Sequence, residues 1–136
     1  MEEIENNGER GINRISGAIV DEAVRIHSRL GPGLLESVYE VVLARMLEKR
    51  GFKVECQVPV PLVYDGIEFE QAFRADIVVN RSIIVEIKSV ERLTNAHRKQ
   101  LLTYLKLADM RLGLLLNFAE AIMKNGIVRT VNALPE

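Results

Sequence analysis

The sequence predicts an α/β (α+β) chain, a mixed sheet with helices packed against it. Three observations lead there. Apolar residues recur at helical spacing before residue 50 and again near residue 100. Between them the pattern switches to period two and becomes rich in β-branched residues. A last apolar run follows the later helix closely enough to read as a parallel crossover. With 136 residues and 48% hydrophobic content, the chain has room for one domain and one respectable core.

Residues 1–11 are polar, include Asn6-Asn7-Gly8, and read as a flexible N-terminal arm before a single domain over 12–136. From Ile12, the positions Ile15, Ile19, Ala23, Ile26 and Leu30 lie on one helical stripe. Gly31-Pro32-Gly33 breaks the chain. A second helix is expected over about 34–50, with Leu35, Val38, Val42, Leu43 and Met46 as its stripe and Gly51 as its C-terminal cap. Residues 52–58 alternate as a half-buried strand, and Pro59 and Pro61 then argue for a sheet edge or an irregular junction. Leu62-Val63-Tyr64 and Ile67-Glu68-Phe69 flank Asp65-Gly66, a favoured hairpin turn. Strands around Asp76 and Glu86 follow, joined at Asn80-Arg81. A third helix spans about 95–108, with Thr94 or Asn95 as N-cap and Leu101, Leu102, Leu105 and Ala108 facing the core. Residues 112–118 read as a buried strand and 126–131 as a peripheral one.

Composition narrows the function. The net charge of −1 does not suit a strongly basic non-specific DNA binder, whose affinity comes mostly from Lys and Arg on phosphates. The sum hides an asymmetry. Residues 1–10 hold four Glu against one Arg, whereas 90–112 hold Arg92, Arg98, Lys99, Lys106 and Arg111 against Glu91 and Asp109. That run is either a basic face beside a site or an ordinary solvated helix surface. Cys56 is alone, so no intramolecular disulfide or Cys-rich zinc site can form. An acidic start without a signal-peptide pattern, and no apolar run near membrane-spanning length, give a cytoplasmic expectation with no membrane partner. There is no GxxxxGK[ST] loop, and Ser37, Ser82 and Ser89 lack a nucleophile-elbow context, so neither an NTPase of that kind nor a serine hydrolase is supported.

The chemistry concentrates in two apolar runs. Asp76 sits in Ala75-Asp76-Ile77-Val78-Val79, and Glu86 and Lys88 sit in Ile83-Ile84-Val85-Glu86-Ile87-Lys88. Charges in such strands are costly unless they are paired or bound to metal. Glu86 and Lys88, two residues apart, share one face, and Asp76 joins them if its strand is adjacent. Two carboxylates there suit Mg²⁺ or Mn²⁺, with the Ile87 backbone carbonyl as a further ligand. A cation so held would polarise a phosphoryl oxygen. Lys88 would orient or deprotonate water, or neutralise the transition state. The alternative is a buried ion pair of Lys88 with a carboxylate. Glu36 opens the second helix, either as a further site acid or simply as a helix N-terminal carboxylate. Gln100 and Tyr104, one turn apart, share a face of the third helix; they either hold water and phosphate or form an ordinary flank. His97 reads as a surface or cap residue.

These residues carry a resemblance. Gly33-Leu34-Leu35-Glu36-Ser37-Val38-Tyr39 is similar to the string that names the GxxExxY proteins, which are placed in the PD-(D/E)XK nuclease superfamily. The likeness continues through Phe73-Arg74-Ala75-Asp76, Ile84-Val85-Glu86-Ile87-Lys88, Gln100-Leu101-Leu102-Thr103-Tyr104-Leu105-Lys106 and Arg111-Leu112-Gly113-Leu114-Leu115-Leu116-Asn117-Phe118. It covers about 12–132. It implies a restriction-endonuclease-like core, a central mixed β-sheet flanked by helices in α-β-β-β-α-β order, here with an extra N-terminal helix. It also implies that Asp76, Glu86 and Lys88 are the D…(D/E)xK triad, that Glu36 is the extra acid of the first core helix, and that Gln100 and Tyr104 are a QxxxY element. Ala75 stands where the superfamily name expects Pro, a common departure. The expected function is Mg²⁺- or Mn²⁺-dependent hydrolysis of phosphodiester bonds, in DNA above all. The competing expectation is a non-catalytic module binding nucleic acid or protein on the same scaffold. A homodimer is compatible with the resemblance, although no heptad seam is visible.

Overall fold

The computed structural model describes residues 9–132. Helix α1 runs Glu9–Leu30. Residues 9–11 of the expected arm are thus helical, and 1–8 lie outside the described residues. Ile12, Ile15, Ile19, Ala23 and Ile26 are buried as one stripe, whereas Leu30, expected to close it, is exposed. Helix α2 spans Glu36–Lys49 and buries Tyr39, Leu43, Ala44 and Leu47. The expected stripe is rotated, since Leu35 and Val38 are exposed. Both flanks of α2 carry apolar residues, so periodicity left two faces to choose from. Tyr39 decides between them by stacking on Phe118, with centroids 4.2 Å apart and planes 10° from parallel. Gly51, at φ +94°, lets the chain turn after α2 while its N–H bonds the Glu48 carbonyl.

Strand β1 (Val54–Tyr64) and strand β2 (Ile67–Val79) form a long hairpin. Asp65 and Gly66 at its tip have φ of 49° and 78°, the left-handed pair that a two-residue turn requires. β1 is one continuous strand through Pro59 and Pro61. It can be so because it is the sheet edge, where a missing N–H loses no ladder bond, and the register shifts between Val60 and Leu62. Strand β3 (Ile83–Lys88), helix α3 (Asn95–Ala108) and strand β4 (Leu112–Asn117) form the crossover, with β3 and β4 parallel. A 3₁₀ turn at Met123–Gly126 leads into strand β5 (Ile127–Val131), antiparallel at the other edge. The sheet order is β1-β2-β3-β4-β5. Thr94 caps α3 in a reciprocal box with His97, the bland role expected of that histidine. Among the described residues no helix is long and apolar enough to cross a membrane.

The sheet separates two apolar layers. On one side, α1 and α2 pack against Ile77, Val79, Ile83, Val85, Ile87, Leu112, Leu114 and Leu116. On the other, Leu101 and Leu105 of α3 pack against Val60, Phe73, Ala75, Val78, Ile84 and Leu115. Two irregularities set the site. First, β2 and β3 pair only at Ile77–Val85, Val78–Ile84 and Val79–Ile83, after which β2 continues with β1 alone, so the sheet forks at Asp76 and Glu86. Second, Ala75 and Ile77 have the same strand parity but lie in opposite layers. The hairpin therefore kinks at Asp76, opposite Gln57, whose φ is 53°.

Candidate active site

At the fork two carboxylates lock onto backbone. Glu86 Oε2 accepts the Asp76 N–H at 2.9 Å, and Asp76 Oδ2 accepts the Ile87 N–H at 2.9 Å. These bonds replace the ladder pairs that the parting strands no longer make. Asp76 and Lys88 are half-buried, and Glu86 is only 6% exposed. Burial pushes the Glu86 carboxyl up to about 7; the Asp76 charge adds to the shift, and Glu40 adds further, while the Asp76 N–H and Lys88 oppose it. Among the described residues the salt bridges are Arg25–Glu22, Arg50–Glu22 and Arg81–Glu55, so Lys88 does not form the buried ion pair that was its alternative reading. Its ammonium stays available beside Glu86, on the same face of β3 as strand periodicity requires.

Helix α2 supplies two more acids. Glu36 is exposed, and its Oε2 accepts the Ser89 N–H at 2.8 Å, tying the start of α2 to the chain just beyond Lys88. Tyr39 fastens the same junction from inside. Its hydroxyl donates to the Gly31 carbonyl at 2.6 Å and accepts the Leu34 N–H at 3.1 Å. Gly33 turns that loop at φ +101°, a conformation L side chains rarely adopt. Glu40, one turn after Glu36, reaches inward. Gln57 Nε2 donates to Glu40 Oε1 at 2.8 Å and to Asp76 Oδ1 at 3.3 Å, so one amide bridges helix and strand. The Glu40 carboxyl is raised first by burial and also by Asp76, with the Gln57 bond opposing.

Helix α3 covers the other side. Tyr104 stacks flat on Phe73, with centroids 3.8 Å apart and planes 2° from parallel. Burial, then the charges of Glu86 and Asp76, push its phenol up, so the hydroxyl stays protonated beside the acids. Gln100 is exposed one turn earlier, and its side chain has no hydrogen-bond partner among the described residues. The Cys56 thiol is also raised, first by desolvation and then by Glu40, Glu48 and Asp76, which does not suit a thiolate nucleophile.

The structure thus brings Asp76, Glu86 and Lys88 together at one fork, with Tyr104 within electrostatic reach. It leaves Gln100 on the rim and gives Glu36 a tether to Ser89. Among the described residues no three His, Cys, Asp or Glu side chains are gathered closely enough to cage an ion, so Glu36, Asp76 and Glu86 do not form such a group. The donor set still fits a hard cation. Mg²⁺ is commonly held by one or two carboxylates plus water. Here burial first, and the neighbouring Asp76 charge second, raise Glu86, and a bound cation would offset both. The surface hollows along α1, and the one between Ile12 and Arg129, lie away from this fork.

Sequence reasoning missed Glu40 and Gln57. Glu40 had a signal, because residues four apart share a helix face and Glu36 was already singled out. Gln57 had none, since a left-handed φ in a strand is not written in a glutamine.

Residues 13–130 match the family model described as the PD-(D/E)XK nuclease superfamily. No curated protein and no solved structure matches the chain.

Proposed function

The chain belongs to the PD-(D/E)XK nuclease superfamily, and from that premise we propose that it is a nuclease hydrolysing phosphodiester bonds, in DNA above all, with Mg²⁺ or Mn²⁺. The observation that carries this reading is the interlock of Asp76 and Glu86 at the fork, with Lys88 alongside in no ion pair among the described residues. Proteins of this superfamily generally use divalent cations. Asp76 and Glu86 would hold the ion, and the Ile87 carbonyl is a further donor on the same strand. When bound, the ion supplies Lewis-acid polarisation of the phosphoryl group and shields its charge.

The chain's own groups do the rest. The backbone bonds to Asp76 and Glu86 fix one oxygen of each carboxylate and so orient the other. Lys88 orients the attacking water or neutralises the charge that builds on the phosphorane-like transition state. Tyr104, held protonated, donates to a phosphate oxygen, and its stack on Phe73 limits its motion. Gln100, exposed on the same helical stripe, positions water or phosphate at the rim. Glu36 steadies the segment after Lys88 through Ser89, and its exposed carboxylate is the candidate for a second ion.

The test is cleavage of labelled single- and double-stranded DNA with Mg²⁺ or Mn²⁺. Glu86→Ala and Lys88→Ala are each expected to lose roughly 100-fold or more in rate. Unchanged activity in both variants excludes this site. A second reading, a non-catalytic binding module on the same scaffold, is favoured by one observation: the acids are not gathered into a three-residue group among the described residues. That reading predicts DNA binding without turnover and no Mn²⁺ heat in calorimetric titration.

A further inference from the structure

Gln57 is the one residue at the fork whose backbone is strained. A non-glycine at φ 53° within a strand is held there only by its surroundings, and such strain collects at functional positions. The strained residue stands at the gap in the β1–β2 ladder, between the Cys56–Ile77 and Val58–Ala75 pairs. Its amide takes part in no ladder. It gives one hydrogen bond to Glu40 on α2 and one to Asp76 on β2, and no other group links these acids among the described residues. Without that donor, two like charges on separate elements favour moving apart, and Glu40, on a flexible stem, is the one free to leave for solvent.

We propose that Gln57 is a positioning residue that holds Glu40 beside Asp76, so that a third carboxylate adds its charge, through water and not as a direct ligand, to the surroundings of the cation that Asp76 and Glu86 would hold. The inference rests on the nuclease reading and deepens it by adding a helix acid other than Glu36 to the ion's surroundings. The twist at Gln57 is the local cost of turning its side chain between the two acids. Gln57 acts only through Glu40, so its removal matters only while Glu40 is present.

The test is calorimetric Mn²⁺ titration of the intact protein, with melting temperature in metal-free buffer as a second readout. Asp76→Asn is the reference for the shared site and is expected to abolish binding. Glu40→Gln and Gln57→Leu are each expected to weaken Mn²⁺ affinity about tenfold, and the double variant to be no weaker than Glu40→Gln alone. Gln57→Gly separates positioning from folding. It relieves the left-handed strain, so its metal-free melting temperature is expected to equal or exceed the parent's while its Mn²⁺ affinity still falls about tenfold. Parent-like affinity in Gln57→Leu and Gln57→Gly, or fully additive losses in the double variant, overturns this role and leaves the nuclease reading intact. Absence of Mn²⁺ binding by the parent overturns both. Binding that follows this pattern without any DNA cleavage supports the positioning role and sinks the nuclease reading.

Discussion

Glu86 links stability to function most directly. A glutamate in the unfolded chain titrates near 4.5, and in the fold its carboxyl is pushed up to about 7. The folded state therefore binds this proton more tightly than the unfolded chain. Stability from this group is complete below about pH 4.5 and falls as pH rises through about 7, because the unfolded state ionises first. Two to three pKa units correspond to a penalty on the order of 3 kcal/mol once both states are ionised. Glu40 shifts in the same direction and adds to the slope. In metal-free buffer, chemical denaturation at pH 8 is expected to give a lower unfolding free energy than at pH 5.5. Glu86→Gln should flatten that difference and raise stability at pH 8, and it should abolish the stabilisation by millimolar Mn²⁺ that the proposed function expects of the parent. A parent whose stability rises from pH 5.5 to 8 would contradict the buried, mutually repelling pair. This conflict also explains how much of the site was legible. Charges inside β-branched runs stand out because folding disfavours them, so Asp76, Glu86 and Lys88 could be read directly. Gln57 and Glu40 sit at positions where their residue types are ordinary, and only the kink makes them neighbours.

Among the elements, α3 is seated by a residue that has no side chain. Gly113 of β4 leaves space that Leu101 fills; a Cβ there would lie 2.9 Å from both Leu101 methyl carbons. Leu101 is 1% exposed and has nowhere to retreat, so the helix itself must lift. Gly113→Ala is expected to destabilise the fold by about 1–3 kcal/mol and to reduce the proposed nuclease activity, because the same helix carries Tyr104 onto Phe73. Gly17 is the contrast. It lies exposed inside α1 with nothing near its would-be Cβ, so Gly17→Ala should stabilise by roughly 0.5–1 kcal/mol. Equal effects of the two substitutions in thermal denaturation would mean that backbone freedom, not the Leu101 contact, governs Gly113. The order of helices and strands was legible because each element has its own period. The turns at Asp65-Gly66 and Asn80-Arg81 were marked by Asp65, Gly66 and Asn80, residue types that tolerate positive φ. The rotation of α2 was not legible, because it is fixed by Tyr39 meeting Phe118, a contact between residues 79 positions apart. Nor was the unbroken course of β1 through two prolines, since only edge placement makes it allowable.

For the whole molecule, the proposed function raises the question of how a chain of net charge −1 would approach a polyanion. The charges are segregated. Arg92, Arg98, Lys99, Lys106 and Arg111 are exposed on and around α3, whereas the hairpin tip carries exposed Asp65, Glu68 and Glu70. Tyr64, Ile67 and Phe69 are exposed there too, but their acidic neighbours make the tip a poor track for phosphates. On the proposed function, the α3 side, over Tyr104, is the face on which a strand would lie, with the acidic tip turning the backbone away from the far end of the hairpin. Few basic groups mean few displaced counterions, so nucleic-acid binding should be weak and only moderately salt-dependent. In EDTA, where turnover is suppressed, anisotropy of a labelled oligonucleotide is expected to show Arg98→Glu with Lys99→Glu weakening affinity at least about tenfold at ~50 mM salt. The slope of log affinity against log salt should flatten by about 1–2 units, the share of two lost phosphate contacts. Glu68→Lys with Glu70→Lys, on the hairpin, should leave that slope unchanged. If the hairpin pair alters the slope as much as the helix pair does, the strand crosses the tip instead, and Tyr104 and Gln100 lose their place in phosphate contact.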